Sequence, residues 1–286
     1  MSAPAAPVPN LPSEPIDLRL VVTDLDGTLL DGEGRVPERL WELLPLLRER
    51  GVMLAPASGR QYPVLRRLFA GNTDGMAFIA ENGTYVVLDG AELSCTPVDP
   101  GFAPDLVRLV RELRSSGHRI GLVWCGRGAA YVEWDDPEFV AEVATYYAAL
   151  DVVDDLLDAP EPAIKFAVYD FGDADSASTR ILTERCAPQQ VVPSSAHWVD
   201  IMSPAVNKGA ALVSLQHTLG ITPAQTVVFG DYLNDLEMIS EAPYSFAMAN
   251  AHPDVLEAAR FVAPKNTEQG VVRVLEQLLA ASASAA

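Results

Sequence analysis

The chain has 286 residues, 49% of them hydrophobic and 21% charged, and carries a formal net charge of −19. That length can bury a sizeable core in one large domain or two moderate ones. The acidity excludes nucleic acid as an expected partner, because a binder needs a basic stripe to displace counterions.

The same field repels phosphorylated small molecules, so a site that takes one must supply local cations. Cys95, Cys125 and Cys186 are far apart and odd in number. They support neither a zinc site nor a disulfide framework, and a reducing cytoplasm is the expected compartment. No apolar stretch approaches the ~20 residues of a membrane span, so no membrane partner is expected. Residues 1–16, rich in Pro and Ala, read as a flexible tail rather than a signal peptide.

The first strand is the apolar run Leu18 to Val22, which stops at Asp24 and Asp26. Such a run reads as a buried parallel strand that delivers carboxylates to the sheet edge. One residue apart, the two acids share a side of the extended chain, and they repel unless a cation or a shared proton intervenes. Gly27 lets the chain turn, and Thr28 adds a hydroxyl and an amide. An acidic turn and a reactive site are both open readings of this segment alone.

Leu40, Leu43, Leu44 and Leu47 then mark an amphipathic helix. A strand at Val52 to Ala57 ends in Ser58-Gly59-Arg60, and a helix follows through Leu65, Leu68 and Phe69. The strand Ala77 to Ala80 ends in Glu81-Asn82-Gly83. This order predicts a parallel sheet covered on both faces, with ligands at the carboxyl ends of its strands.

The middle of the chain mixes hairpins with helices. Thr84 to Leu88 and Leu93 to Thr96 flank Asp89-Gly90, a hairpin signal. Helices are predicted at Ala103 to Ser115, Glu138 to Ala149 and Ser176 to Cys186. Strands are predicted at Ile120 to Trp124, Ala130 to Trp134, Ile164 to Tyr169, Gln190 to Val192 and Trp198 to Met202. An α+β module at residues 99–195 is therefore expected inside a doubly wound α/β core at 17–98 and 196–286.

The core resumes with Asn207-Lys208-Gly209 before a helix running to Leu219. A lysine at a helix start opposes the macrodipole, so helix stability does not account for it. A strand at Thr226 to Phe229 ends in Gly230-Asp231, followed by Asn234-Asp235. A strand at Tyr244 to Met248 and a helix at Gly270 to Ala280 complete the chain.

Asp24-x-Asp26-Gly-Thr-Leu, Ala57-Ser58-Gly59-Arg60, Asn207-Lys208-Gly209 and Gly230-Asp231-x-x-Asn234-Asp235 stand in the order of the four motifs of the haloacid dehalogenase superfamily. The chain resembles the Cof-type phosphatase branch, with its large class IIB (C2B) cap between the second and third motifs. Glu81-Asn82-Gly83 and the stretch from Asn266 to Gly270 are similar to that branch as well.

The resemblance implies that Asp24 is the nucleophile, forming an aspartyl phosphate, and that Asp26 is the acid and base. It implies Mg²⁺ held by Asp24, Asp231 and the Asp26 backbone carbonyl, since that ion favours hard oxygen ligands. Thr28, Ser58, Gly59, Lys208 and Asn234 would bind the phosphoryl group, and Lys208 would stabilise its developing charge. Asp235 would stand behind them, holding the metal water or Lys208.

The expected function is Mg²⁺-dependent hydrolysis of small phosphorylated metabolites, sugar phosphates foremost. A phosphomutase of the same superfamily and a catalytically silent phosphometabolite-binding protein are the alternatives. Dehalogenase activity is disfavoured by Asp26, and an ion pump by the missing spans. The oligomeric state is not readable.

Other residues carry weaker signals. His118, His197, His217 and His252 are scattered, and no catalytic role is expected of them. Arg60 reads equally as a substrate contact or a solvated helix arginine. Packing rather than a sugar platform is expected of Trp124, Trp134 and Trp198. A solvated face is expected of Asp135, Asp136, Asp154, Asp155 and Asp158.

Overall fold

The computed structural model describes residues 11–12, 15–172, 177–194 and 196–283. In chain order, β1 (Leu20–Thr23) leads through a turn at Leu25–Leu29 to α1 (Glu38–Glu49), β2 (Met53–Pro56) and α2 (Tyr62–Leu68). Next come β3 (Ala77–Ala80), β4 (Tyr85–Leu88) and β5 (Ala91–Cys95). The middle holds α3 (Ala103–Ser115), β6 (Ile120–Cys125), β7 (Ala130–Val132), α4 (Pro137–Tyr146) and β8 (Leu150–Val152). It continues with β9 (Lys165–Asp170), α5 (Ala177–Arg185), β10 (Gln190–Pro193) and β11 (Trp198–Met202). The chain closes with α6 (Lys208–Leu219), β12 (Thr226–Gly230), α7 (Leu236–Ser240), β13 (Tyr244–Met248), α8 (Pro253–Ala258), β14 (Phe261–Ala263) and α9 (Gly270–Ala283).

The first sheet runs β14-β13-β12-β1-β2, and all its pairings are parallel. Successive strand residues face opposite sides. Val21 therefore packs with Leu40, Leu44 and Val272 on one face, while Leu20 and Val22 pack with Leu212, Ile239 and Val255 on the other. Helices cover both faces, which explains why β1 is apolar from Leu20 to Val22 and buried throughout.

A bridge between Ala57 and Ile79 sets β3, the start of an antiparallel β3-β4-β5 sheet, beside the end of β2. That bridge brings two separate loops together: Ser58 N donates to Ile79 O at 2.9 Å and Asn82 N to Ser58 O at 3.0 Å.

The inserted module is a six-stranded sheet in the order β10-β11-β9-β6-β7-β8, antiparallel except for β7 and β8. Leu122, Phe166, Val168 and Ile201 face a core completed by α3 and α5. Val123, Ala167 and Trp198 face the other side, where Phe139 and Val143 of α4 cover them. By the same alternation Lys165 and Asp200 project towards the α4 side, and that side looks onto the carboxyl ends of the first sheet.

The fold class matches the expectation, and several boundaries do not. A division at residue 195 assigns β11 to the core, whereas β11 pairs with β9 and β10 inside the inserted sheet; Ser195 itself and Ser176 lie outside the described residues. The helix predicted to run to Ala149 stops at Tyr146, and Leu150–Val152 forms a strand beside β7. Of the tail expected over 1–16, most lies outside the described residues, but Leu11 and Ile16 pack against the first core. Among the described residues no helix is long and apolar enough to cross a membrane.

Candidate active site

Asp24 follows β1 directly, and its amide donates to Phe229 O at 3.0 Å, fixing it beside the end of β12. The turn after it depends on Gly27, whose φ is 80° and where a Cβ would run into the Asp231 carboxylate. Only glycine lets this loop approach so closely. Asn250 Nδ2 donates to Gly27 O at 2.8 Å and Asn266 Nδ2 to Leu30 O at 3.0 Å. These two amides tie the loop to the segments after β13 and β14, which accounts for part of the Asn266 stretch singled out from sequence.

The carboxylates meet around Lys208. Its ammonium, fully buried at the first turn of α6, donates to Asp24 Oδ1 at 2.6 Å and to Asp235 Oδ1 at 2.7 Å. The other Asp235 oxygen accepts the amides of Asp231 at 2.9 Å and Tyr232 at 3.2 Å. Gly230 leaves room for this, since a Cβ there would sit 2.6 Å from Asp235 Cβ. Thr28 Oγ1 donates to Asp231 Oδ1 at 2.7 Å.

Asp24, Asp231 and Asp235 present oxygens within 4.8 Å of one another. Burial, opposed by Lys208 and reinforced by Asp235 and Asp231, holds the Asp24 carboxyl well above its usual range. Burial also pushes Asp231 up to about 6, against the hydrogen bond from Thr28. The acids outweigh burial and raise the Lys208 ammonium.

Three carboxylates facing one ammonium leave an excess of negative charge with hard oxygen donors, which suits a divalent cation such as Mg²⁺. Asp235 has both oxygens engaged by Lys208 and backbone amides, so Asp24 and Asp231 are the side chains fitted to hold it.

The rim is built by the second motif. Arg60 grips Asp26 with two bonds, Nε to Oδ2 at 2.8 Å and a terminal nitrogen to Oδ1. Arg60 is thus an ion-pair partner rather than a solvated helix residue, and Asp26 remains half-exposed at the cavity mouth. Ser58 is buried, and its Oγ accepts the Arg60 amide at 3.2 Å, leaving its own proton to donate.

A second buried lysine joins the two modules. Lys165 Nζ, on β9, donates to Gly59 O at 2.7 Å and contacts Glu81 Oε2 at 2.6 Å and Asp200 at 3.4 Å. Asn82 Nδ2 donates to Asp200 Oδ2 at 2.7 Å, and Asn234 Nδ2 to Asn82 Oδ1 at 3.0 Å. A hydrogen-bonded chain therefore runs from the inserted sheet to the fourth motif. Burial pushes Glu81 and Asp200 up, with Lys165 opposing.

Several of these groups open onto one cavity of about 250 Å³, lined from the first sheet by Asp24, Asp26, Ser58, Gly59, Arg60, Tyr232 and Asn234. The inserted module contributes Tyr146, Tyr147, Lys165, Ser194, Trp198 and Asp200.

The structure brings together Asp24, Asp26, Ser58, Gly59 and Asn234 on the wall, with Lys208, Thr28, Asp231 and Asp235 behind. Gly59 offers its carbonyl to Lys165, and the Asn234 amide group is held by Asn82.

None of the four histidines lines the cavity; His252 instead accepts the Asp254 amide at the start of α8. Trp124 and Trp134 pack against Phe166 and Phe139 as expected, whereas Trp198 reaches the cavity. Asp136 caps α4 and Asp155 pairs with Arg111, so part of the acidic face is structural. Lys165, Asp200 and Tyr146 escaped sequence reasoning. The one usable signal was a lysine and an aspartate interrupting otherwise apolar strands.

A family model described as haloacid dehalogenase-like hydrolase matches residues 21–275. The chain is similar to 5-amino-6-(5-phospho-D-ribitylamino)uracil phosphatase YbjI of Escherichia coli (strain K12), with 31% identity over 92% of this chain and 97% of that protein. It is 30% identical to HMP-PP phosphatase of Cronobacter sakazakii, over 83% of this chain and 86% of the relative. Among solved structures, SMU.1108c from Streptococcus mutans UA159 superposes with a TM-score of 0.84 at 26% identity, covering 92% of this chain and 99% of the other.

Proposed function

The chain belongs to the haloacid dehalogenase-like hydrolases, and we propose that it is a Mg²⁺-dependent phosphatase of small, sugar-derived phosphate monoesters. The observation that carries this reading is the buried bond from Lys208 to Asp24 beside Asp231. A carboxylate and a fixed cation stand at one strand edge beside a second carboxylate, which supports a divalent-cation site there. The relatives' activities on small phosphorylated metabolites support it.

In the first step Asp24 attacks phosphorus. An Asp24 oxygen–phosphorus bond forms and the ester oxygen–phosphorus bond breaks, while Asp26, protonated from solvent as its pair with Arg60 loosens, gives that proton to the departing alkoxide. Asp26 then takes a proton from water, whose oxygen attacks phosphorus, so that inorganic phosphate leaves and Asp24 is restored. Ser58 donates to a phosphoryl oxygen, and Lys208 faces the charge that builds there. Asp24, Asp231 and the Asp26 carbonyl would hold Mg²⁺, which offsets the carboxylate repulsion and the phosphoryl charge when bound.

Arg60 holds Asp26 at the mouth, where a leaving group emerges. The inserted module, which we read as a cap spanning residues 99–202, excludes water and selects that leaving group.

Purified protein is expected to release phosphate from a panel of monoesters with Mg²⁺ and to stop when the metal is chelated. Asp24→Asn should lower kcat at least about a thousandfold while leaving the circular dichroism spectrum intact. Turnover by that variant near the wild-type rate would overturn the assignment.

A further inference from the structure

Beyond the reaction centre, the charged groups of the cavity wall are already committed. Lys165 is engaged by Gly59, Glu81 and Asp200, Asp200 also by Asn82, and Arg60 by Asp26. The other side chains there are Tyr146, Tyr147, Ser194, Trp198, Tyr232 and Asn234, four of them aromatic.

Tyr146, at the C-terminal end of α4, and Trp198, at the start of β11, meet edge to face with ring centroids 5.3 Å apart at 68°. Tyr147 closes the corner behind them, its centroid 6.3 Å from that of Trp198. Its hydroxyl is held by the buried Cys125 thiol at 3.3 Å, which fixes that ring. Tyr146 is the half-buried member of the group, so it is the one placed to meet a ligand.

We propose that the leaving group carries an uncharged planar ring, which rests against the Tyr146–Trp198 wall while its phosphorylated arm reaches Asp24. The inference rests on the phosphatase reading for the arm and on the wall for the ring.

Three considerations lead to a flat ring. Aromatic faces gain from stacking on another π-system, and they do so with little demand on its polar edge. A charged ring would need a counter-charge, and the wall's ions are paired with one another. The volume also fits: about 150 Å³ accepts a benzene, so the 250 Å³ here holds one ring with a short arm. A bare hexose phosphate would instead set most of its hydroxyl rim against aromatic surfaces and committed ions, with few donors such as Trp198 Nε1 to replace its hydrogen bonds to water.

The test uses non-hydrolysable phosphonates titrated calorimetrically in the presence of Mg²⁺. A ring on a short alkyl arm is compared with a ring-free alkyl phosphonate and a glucose 6-phosphonate. The matching primary alkyl phosphates are assayed for turnover, so that leaving-group acidity is the same throughout. The ring-bearing compound should bind about tenfold more tightly than either reference. Tyr146→Ala should bring that ratio close to one, and Tyr146→Phe should keep it.

Equal affinities, preference for the sugar, no binding of the ring-bearing compound, or an unchanged ratio in Tyr146→Ala would each overturn the proposal. Ring preference in binding without turnover of any ester would sink the phosphatase reading and leave the ring site standing. Turnover without ring preference would do the reverse.

Discussion

Two buried lysines in this molecule have nearly the same surroundings, and they differ in how many carboxylates stand beside them. Lys208 is 0% exposed and lies between Asp24 and Asp235; Lys165 is 2% exposed and lies between Glu81 and Asp200. A lysine has three donors. Lys165 donates to the Gly59 carbonyl and to Asp200 and pairs with Glu81 at 2.6 Å, whereas Lys208 donates to two carboxylates and to no carbonyl among the described residues. The remaining Lys208 donor is what a phosphoryl oxygen would meet.

The acids differ in the same sense. A third carboxylate, Asp231, stands beside the Lys208 pair and leaves charge for a cation to offset. Around Lys165 the additional groups are a neutral amide and a carbonyl, so no third carboxylate stands beside that pair. On the proposed function, the excess of carboxylate beside Lys208, rather than residue type or burial, would separate a reactive ion cluster from a structural one.

The largest effect should come from Lys208→Met. It leaves Asp24 and Asp235 buried without their cation, at a cost of about 3–5 kcal/mol in unfolding free energy. In the protein that still folds, it should also lower kcat about a thousandfold. Urea melts and steady-state assays on the same samples measure both losses. Activity within tenfold of wild type would erase the distinction between the two lysines.

Lys165→Met should be its counterpart. The stability loss is expected to be of the same size, about 3–5 kcal/mol, because two buried acids again lose their partner. Turnover should fall only about tenfold, through a loosened Gly59 carbonyl and a less well-placed Ser58. A loss of activity as large as that of Lys208→Met would mean that Lys165 touches the substrate.

The pair also explains what could be read in advance. Asp24, Ser58, Lys208 and Asp231 each stand at the end of a strand or the start of a helix, where the change of hydrophobic period marks them. Their order along the chain carries the family signature. Lys165 and Asp200 sit inside β9 and β11, and their partners lie 84 and 118 residues away, at Glu81 and Asn82.

No local pattern announces pairing across such distances. Tyr146 and Trp198 look like ordinary packing residues, because packing against each other is also what they do. The β11 boundary was missed for a related reason: a short strand at the rim of the insertion is assigned by its partners, not by its own residues.

A smaller effect lies in the inserted module alone, and it separates that module from the charge clusters beneath it. Glu133 accepts Arg111 Nε at 2.8 Å and the Leu156 amide at 3.1 Å, and Arg111 also holds Asp155 at 2.8 Å. Burial raises the Glu133 carboxyl, but Arg111 and the Leu156 amide outweigh it, and the group ends below its ordinary 4.5. The Leu157 amide, followed by Arg111, lowers Asp155 as well.

A depressed carboxylate stabilises the fold above its unfolded pKa and loses that contribution as pH falls through the folded value. Glu81 and Asp200, both raised by burial, have the opposite sign: their contribution is present at low pH and fades as pH rises through the folded values. Whole-protein melting sums the two slopes, so the module is isolated by difference. Glu133→Gln should melt about 3 °C below wild type at pH 7, and the gap should close as pH falls below 4.5. A gap that stays constant or widens on acidification would mean that Arg111 and the Leu156 amide do not hold the Glu133 carboxyl below its ordinary value.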